Sequence, residues 1–236
     1  LDACQSLSVD PLANPIWHAL DGPQHKVAES TGLAARYRSD IAPFGALPDD
    51  PDRAAWDALA ELVGPGGVAV LFRHDVVAPA GWEELFQGRG IQMLAPAVDD
   101  AEADPSDFAP LTAGDVPAML DLVARTQPGP FARRTIDLGT YLGLRDGDQL
   151  VAMAGERMRL PGHTEISAVC TDPAFRRRGL AGALVRTLAR GIRARGERPM
   201  LHVAADNANA IRLYETLGFE TTRSLTVVGL RAPERR

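Results

Sequence analysis

The spacing of apolar and polar residues divides the second half of the chain into helices and short strands. Two segments, 114–126 and 180–195, carry apolar residues at helical spacing and predict amphipathic helices. Further elements are predicted by apolar runs between turn residues: strands at 141–144, 149–157, 164–171 and 200–205, a helix at 207–217 and a last strand pair within 219–231. Three antiparallel strands before a helical crossover to a parallel neighbour predict an α+β fold, with a mixed, mostly antiparallel sheet flanked by helices.

The first half of the chain gives a second, less regular α+β pattern. It predicts strands at 34–44, 68–72 and 91–94 and helices at 51–62 and 82–86. Between the halves, the chain is acidic, contains proline and is poor in apolar residues, which is typical of a linker. We therefore predict an N-terminal α+β domain of unassigned role at 1–98, an acidic linker at 99–108 and a second domain at 109–236.

Composition narrows the class of protein. Of the 236 residues, 45% are hydrophobic and 24% are charged, which is typical of a soluble globular protein. No apolar run approaches the ~18 residues of a membrane span, and residues 1–11 have neither the basic nor the apolar region of a secretory signal, so we expect none. The two cysteines, Cys4 and Cys170, lie in unlike contexts and predict reduced thiols in a cytoplasmic protein. The histidines and cysteines have no metal-site spacing, so we expect no metal.

Charge is distributed unevenly along the chain. Residues 1–108 carry 6 Lys and Arg against 18 Asp and Glu, whereas residues 109–236 carry 19 against 13. The basic half suits a phosphate-rich ligand. It does not indicate nucleic acid, because the arginines are spread over several elements and aromatic residues are sparse. The acidic half either attracts a cationic substrate or complements the basic half, and we favour the second.

The segment from Arg176 to Gly182 is the first candidate for binding chemistry. It reads Arg-Arg-Arg-Gly-Leu-Ala-Gly and lies between a predicted strand and the helix that begins at Leu180. The first amides of a helix have no intrahelical partner and lie at the positive end of the helix dipole, where a pyrophosphate binds well. The arginines add donor groups for phosphate oxygens. The spacing is neither that of a Rossmann loop nor that of a P-loop.

A second segment, 206–219, follows the predicted strand at 200–205. It reads Asn-x-x-Ala-x-x-x-Tyr-x-x-x-Gly-Phe from Asn207 and predicts a capped helix that ends at Gly218. The two segments together resemble the R/Q-x-x-G-x-G/A loop and the last motif of the GNAT acetyltransferase superfamily, over about residues 109–231. Ala181 stands where a second glycine is more usual, which casts little doubt on the match. A degenerate second copy of the GNAT-like fold in residues 1–98 remains an open alternative.

The resemblance implies a set of site residues. In the family, the fourth and fifth strands splay apart around the pantetheine arm of acetyl-CoA, and a tyrosine protonates the departing thiolate. Tyr214 matches that tyrosine. The positions matching the cofactor site are Ala168, Val169 and Cys170 on the splayed strand, Arg176, Arg177, Arg178, Gly179, Leu180, Ala181 and Gly182 in the loop, and Asn207, Ala210 and Tyr214 on the last helix. Strand alternation places Glu165, Ser167, Val169 and Thr171 on one face.

The general base is the least determined part of the site. Glu165 is the first candidate, because relatives carry an acidic residue on that strand, and its pKa should rise if it faces an apolar cleft. A surface charge at the strand end is the equal alternative, and Glu156 is the reserve. Asp172 precedes a proline and predicts a turn. Cys170 has no activating base nearby and predicts a small packed residue.

These observations predict an N-acetyltransferase that transfers an acetyl group from acetyl-CoA to a primary amine of a small molecule or peptide, in a ternary complex. The alternative is a non-catalytic acyl-CoA-binding module. Residues 128–139, with Phe131, Arg133 and Arg134, match the acceptor-side loop of the family but name no substrate. We expect the N-terminal segment to cap the acceptor cleft, and no nucleic acid or membrane as partner. The sequence leaves the oligomeric state open, a homodimer included.

Overall fold

The computed structural model of the protein describes residues 10–95 and 108–234. Within them, the helices are α1 (Pro15–Leu20), α2 (Arg53–Val63), α3 (Val116–Thr126), α4 (Leu180–Ala194) and α5 (Ala208–Thr216). The strands are β1 (Ala28–Ser30), β2 (Ala35–Tyr37), β3 (Gly45–Ala46), β4 (Val68–Arg73), β5 (Glu83–Leu94), β6 (Ala109–Pro110), β7 (Tyr141–Asp146), β8 (Gln149–Leu160), β9 (His163–Thr171), β10 (Arg198–Ala204) and β11 (Glu220–Arg231). None of the described helices is long and apolar enough to cross a membrane.

Eight strands form one sheet in the order β4-β11-β5-β10-β9-β8-β7-β6, and β1, β2 and β3 form a small second sheet. In the large sheet, β9 and β10 are parallel, and the other neighbouring strands are antiparallel. The helix α4 makes the crossover from β9 to β10. The predicted α+β fold, with a mixed, mostly antiparallel sheet flanked by helices, is therefore confirmed.

The two faces of the sheet are covered by different parts of the chain. On one face, α4 buries Leu184, Leu188 and Ile192 in a cluster with strand residues such as Ile166 and Leu201. The opposite face packs against α1 and the β2–β3 region, in a cluster that includes Ile16, Leu20, Tyr37, Phe44, Met158 and Met200. Each fully buried aliphatic side chain contributes about 1.5–3 kcal/mol, so both layers hold the sheet firmly.

Two predictions for the far side of the sheet are wrong. The expected strand pair within 219–231 is one twelve-residue strand, β11, and the expected helix at 82–86 is the beginning of β5, also twelve residues long. These two strands pair with each other along almost their whole length. A short segment with ambiguous periodicity takes the conformation that this long-range pairing stabilises. The predicted strand at 34–44 is likewise shorter, because only Ala35–Tyr37 is extended within a ladder.

The predicted linker lies outside the described residues, apart from Phe108. Strands from both sides of it nevertheless share the large sheet: β5 lies between β10 and β11, and β4 pairs with the outer edge of β11. The N-terminal segment therefore supplies two strands to the sheet that carries both motif segments. The predicted domain division and the hypothesis of a degenerate second copy stay predictions.

Candidate active site

A cleft of about 1120 Å³ opens where β9 and β10 separate. These strands pair only at their beginning, where the last matched residues are Glu165 and Met200. Beyond that point, residues 166–171 of β9 and 202–204 of β10 line opposite sides of the cleft. The splayed strands that the resemblance implied are therefore present. Beyond this point, the edges of β9 and β10 that face each other border the cleft and are not paired with each other.

A bulge in β9 shapes the floor of the cleft. Ala168 has a left-handed backbone with φ of 52°, and the pairing with β8 shifts between Ser167 and Cys170. As a result, Ile166 and Val169 pack on the α4 side, whereas Ala168 and Cys170 pack with residues of α3. Strict alternation is therefore wrong from Ala168 onward, because a bulge adds one residue to the strand and exchanges its faces.

The loop before α4 ends in a helix N-terminus with no side-chain cap. Gly179 is the N-cap residue, with φ of 77°, and the first intrahelical hydrogen bond runs from the Ala183 amide to the Gly179 carbonyl at 3.0 Å. The amides of Leu180, Ala181 and Gly182 therefore have no partner within the helix. All three residues line the cleft. This arrangement is a cradle for an anion.

The three loop arginines have different surroundings. Arg176 and Arg177 line the cleft, and the Arg176 Nε donates to the Thr171 carbonyl at 3.3 Å. The guanidinium of Arg178 instead lies over the ring of Phe175, 4.7 Å from its centroid. Only the first two side chains are thus placed to reach a phosphate in the cleft.

The helix α5 forms the wall opposite the loop. Asn207 caps this helix, because its Oδ1 accepts a hydrogen bond from the Ala210 amide at 3.1 Å. Tyr214 lies two helical turns beyond Asn207, lines the cleft and is buried. Burial raises the pKa of Tyr214 to about 12, with a smaller effect of the Glu165 charge, so its phenol is protonated at neutral pH. The loop, the bulged strand and Tyr214 therefore meet in one cleft, as the motifs indicated.

Glu165, the first candidate for the base, is fully buried, and all its hydrogen-bond acceptor positions are occupied. Its carboxylate accepts hydrogen bonds from Arg157 Nε and Nη2 at 2.7 and 2.6 Å, from His202 Nδ1 at 2.7 Å and from the Met158 amide at 3.3 Å. Four donors fill the acceptor positions of a carboxylate. Burial alone would raise the pKa of Glu165, but Arg157 and His202 outweigh it and lower the pKa to about 2. Glu165 is not among the residues that line the cleft, so the condition for the expected rise is not met, and its pKa is lowered instead.

The protonation of His202 follows from its other neighbour. The Nε2 of Gln92 donates to the Leu12 carbonyl at 3.0 Å, which identifies it as the amide nitrogen. The same nitrogen lies 3.0 Å from His202 Nε2, so that ring atom accepts a hydrogen bond. His202 is thus neutral, carries its proton on Nδ1 and donates it to Glu165. Burial also lowers the pKa of His202, which favours the neutral ring.

The remaining candidates for proton chemistry have structural partners. Glu156 pairs with Arg195 at 3.0 Å, and neither it nor Glu165 is among the residues that line the cleft. Asp172 accepts a hydrogen bond from the Ala174 amide at 2.9 Å and so closes the predicted turn. Burial raises the pKa of the Cys170 thiol to about 11, which agrees with the prediction of a packed residue.

The far end of the cleft is built by the acceptor-side loop and the N-terminal segment. Residues 126–130 line one side, and residues 86–90 with Phe44, Val70 and Phe72 line the other. The loop is fixed to the N-terminal segment, because Thr135 Oγ1 donates to the Ile41 carbonyl at 2.6 Å. Of the residues named from the sequence, Phe131 packs on Tyr141 and Arg134 pairs with Asp137.

Sequence reasoning missed the buried polar group beside the cleft, which comprises Arg157, His202 and Gln92. Each of these residues interrupts an apolar strand, and that interruption was the available signal. A polar side chain within a buried strand requires a partner, so three interrupted strands near a buried glutamate could have indicated a network.

Comparisons with known proteins agree with this geometry. The family described as FR47-like protein matches residues 141–228. The chain is 32% identical to N-alpha-acetyltransferase RimI of Mycobacterium tuberculosis over 131 residues, which covers 51% of the chain and 82% of that protein. It is 39% identical to the mycothiol acetyltransferase of Corynebacterium glutamicum over 87 residues, which covers 36% of the chain but only 30% of that longer protein.

A solved structure extends the similarity to almost the whole chain. A protein from Novosphingobium aromaticivorans, described as a member of the GNAT family, is 38% identical with a TM-score of 0.87. The match covers 96% of this chain and 100% of that one. The N-terminal segment is therefore part of the shared architecture.

Proposed function

The chain belongs to the GNAT superfamily of acetyltransferases, and we propose that it transfers the acetyl group of acetyl-CoA to a primary amine. The observation that carries the proposal is the single cleft that joins an uncapped helix N-terminus, a bulged strand and a protonated tyrosine. The enzyme is an acyltransferase, and the names of its relatives specify acetyl transfer. Cytoplasmic location and a homodimer stay predictions.

The loop before α4 has the donors that a pyrophosphate requires. We assign the amides from Arg178 to Gly182 to the pyrophosphate and the side chains of Arg176 and Arg177 to the remaining phosphate. Backbone amides at a helix N-terminus bind such groups without rearrangement.

The bulged strand and α5 would hold the reacting end of the donor. Main-chain groups of Ala168, Val169 and Cys170 face the gap between β9 and β10, where a pantetheine arm can lie. We assign the Asn207 and Ala210 surface to the same arm. A main-chain amide beside the bulge would donate to the thioester oxygen and stabilise the charge that develops on it.

The chain's residues then account for the protons. Bound acetyl-CoA supplies a thioester whose carbonyl carbon the amine nitrogen attacks and whose C–S bond breaks. Tyr214 donates its phenolic proton to the departing sulfur and becomes a phenolate. The proton that the amine loses is relayed through solvent to this phenolate, which restores the phenol. Glu165 has no free acceptor position, so we assign it the positioning of Arg157 and His202 rather than proton abstraction.

The test is calorimetric titration with acetyl-CoA, followed by an assay of thiol release with an amine panel. Gly179→Asp places a negative charge in the anion cradle and should abolish binding. Gly162→Asp is the matched control, because Gly162 has a similar φ of 72° and open surroundings at a turn away from the cleft. Equal binding by both variants would contradict the assigned phosphate site. Binding without transfer to any amine would favour the non-catalytic alternative.

A further inference from the structure

The charged residues that line the cleft all have the same sign. In the described part of the chain they are Arg89, Arg157, Arg176 and Arg177, of which Arg176 and Arg177 are already assigned to the donor's phosphate, and no Asp or Glu side chain lines the cleft. Polyamines and other polycations require carboxylates for charge compensation, which this cleft does not offer. An acceptor that also carries an anionic group fits better.

Arg157 is the arginine nearest to the junction of β9 and β10. Its Nε and Nη2 are engaged by Glu165, and its guanidinium lies over the ring of Phe44, 4.9 Å from the centroid. The side chain is 11% exposed and lines the cleft. Among the described residues, nothing accepts a hydrogen bond from its Nη1. A rigidly held guanidinium with two unused N–H groups is a ready donor for a carboxylate.

The buried network makes this donor specific. Glu165 is 0% exposed and all its acceptor positions are filled, so it offers nothing to a ligand. The Arg157–Glu165 pair has no net charge, and recognition therefore depends on directed hydrogen bonds rather than on long-range attraction. Fixing the guanidinium in advance reduces the entropy lost on binding.

The position of Arg157 suits a compact acceptor. Gly155 lies opposite Ser167, so the Arg157 backbone is two residues, ~7 Å, from the beginning of the bulge where the thioester would react. The cleft wall near Arg157 is apolar and aromatic, since it includes Phe44, over whose ring the guanidinium lies, together with Val70 and Phe72. An acceptor bound here would place an anionic group and its amine within the span of one small molecule.

We infer that the acceptor is an α-amino acid with an apolar side chain, whose carboxylate is bound by Arg157 and whose side chain packs on the wall of Phe44, Val70 and Phe72. The inference rests on the proposed acetyl transfer. A peptide N-terminus fits less well, because its nearest carboxylate has become an amide, whose single oxygen is a weaker acceptor for the Arg157 N–H groups than a carboxylate.

The first test uses the wild-type enzyme with acetyl-CoA and four acceptors: phenylalanine, phenylalaninamide, phenethylamine and spermidine. We expect kcat/KM for phenylalanine to exceed that for the other three by ~10-fold or more, the effect of a hydrogen bond to a charged group. The amide has the less basic amine, so a preference for the acid would not arise from amine protonation. Equal or better transfer to the amide, the amine or spermidine, or no transfer to phenylalanine, would overturn the inference.

The second test uses the double variant Arg157→Met/Glu165→Gln, which removes both charges and keeps a side-chain oxygen that accepts from His202. Arg159→Met is the control, since Arg159 lies on the same strand, pairs with Glu197 and does not line the cleft. The double variant should bind acetyl-CoA as the wild type does but lose the preference for phenylalanine over its amide. A retained preference would refute the role of Arg157. If the wild-type protein does not bind acetyl-CoA, the proposed function itself is refuted.

Discussion

Replacing Glu165 with glutamine would remove one charge from a pair that water does not reach. The carboxylate is fully buried, and its bidentate partner Arg157 is 11% exposed. In the variant, Arg157 would keep its charge without a counterion, and the amide nitrogen of the new side chain would face donors. Removing one partner of a buried ion pair destabilises the fold by more than the intact pair stabilises it. The remaining charge then has neither its counterion nor water around it.

The shift in the Glu165 pKa and the usual cost of breaking a buried ion pair predict a similar loss of stability. Each pKa unit corresponds to about 1.36 kcal/mol, so the lowering of the Glu165 pKa from 4.5 to about 2 corresponds to ~3 kcal/mol of stability at neutral pH. Breaking buried ion pairs by single substitutions costs about 3–5 kcal/mol. We therefore expect Glu165→Gln to lower the free energy of unfolding by ~3 kcal/mol, a large part of the ~5–15 kcal/mol of a typical protein.

The assay is urea unfolding followed by circular dichroism at several pH values. The folded pKa of Glu165 is depressed, so its contribution is complete above pH 4.5 and is lost as the pH falls towards 2. The difference between wild type and variant should narrow over that window. Asp57→Asn is the control for an exposed pair with Arg53, whose side chains are 62% and 65% exposed, and should change stability by less than ~0.5 kcal/mol. A Glu165→Gln effect below ~1 kcal/mol, or one independent of pH, would refute the buried pair.

Three further predictions concern the reaction, the fold and the thiol. Tyr214→Phe should lower kcat by about 10²–10⁴ and leave the acetyl-CoA Kd unchanged; equal turnover would remove Tyr214 from the mechanism. A fragment of residues 105–236 should fail to show cooperative unfolding, because it lacks β5 between β10 and β11, and a stable, active fragment would contradict this. Cys170 should react slowly with a thiol reagent at pH 8 until the protein is unfolded, since burial raises its pKa to about 11, and rapid reaction in the native state would show an accessible thiolate.

The features predicted well from the sequence are those set by neighbouring residues. The loop from Arg176 to Gly182 is determined locally, since a glycine with positive φ begins a helix that follows a strand. The hairpin at Gly147 and the helix α5 are determined in the same way. Their boundaries agree with the structure to within a few residues.

The features missed are set by long-range pairing. Glu83–Leu94 is a strand because β11 pairs with it from more than a hundred residues away, and no local pattern in Trp82–Phe86 reports that partner. The lowered Glu165 pKa depends on Arg157 and His202, which reach the carboxylate from neighbouring strands that no local pattern pairs with it. The bulge at Ala168 gives no glycine signal, since an alanine takes the left-handed conformation there.

The two sides of the cleft come from different parts of the chain. Both motif segments, which bind the donor in our proposal, come from the C-terminal part of the chain, where local sequence determines them. The wall opposite the acceptor-side loop comes instead from Phe44, β4 and β5 of the N-terminal segment. Because β5 is also the only described strand between β10 and β11, this wall is part of the structural core of the sheet.

Substitutions in residues 86–90 and at Phe44, Val70 and Phe72 should therefore change acceptor preference while acetyl-CoA affinity stays constant. Substitutions in residues 176–182 should change acetyl-CoA affinity and leave acceptor preference constant. A shift of both quantities together in either set would show that donor and acceptor sites are not separated along the chain.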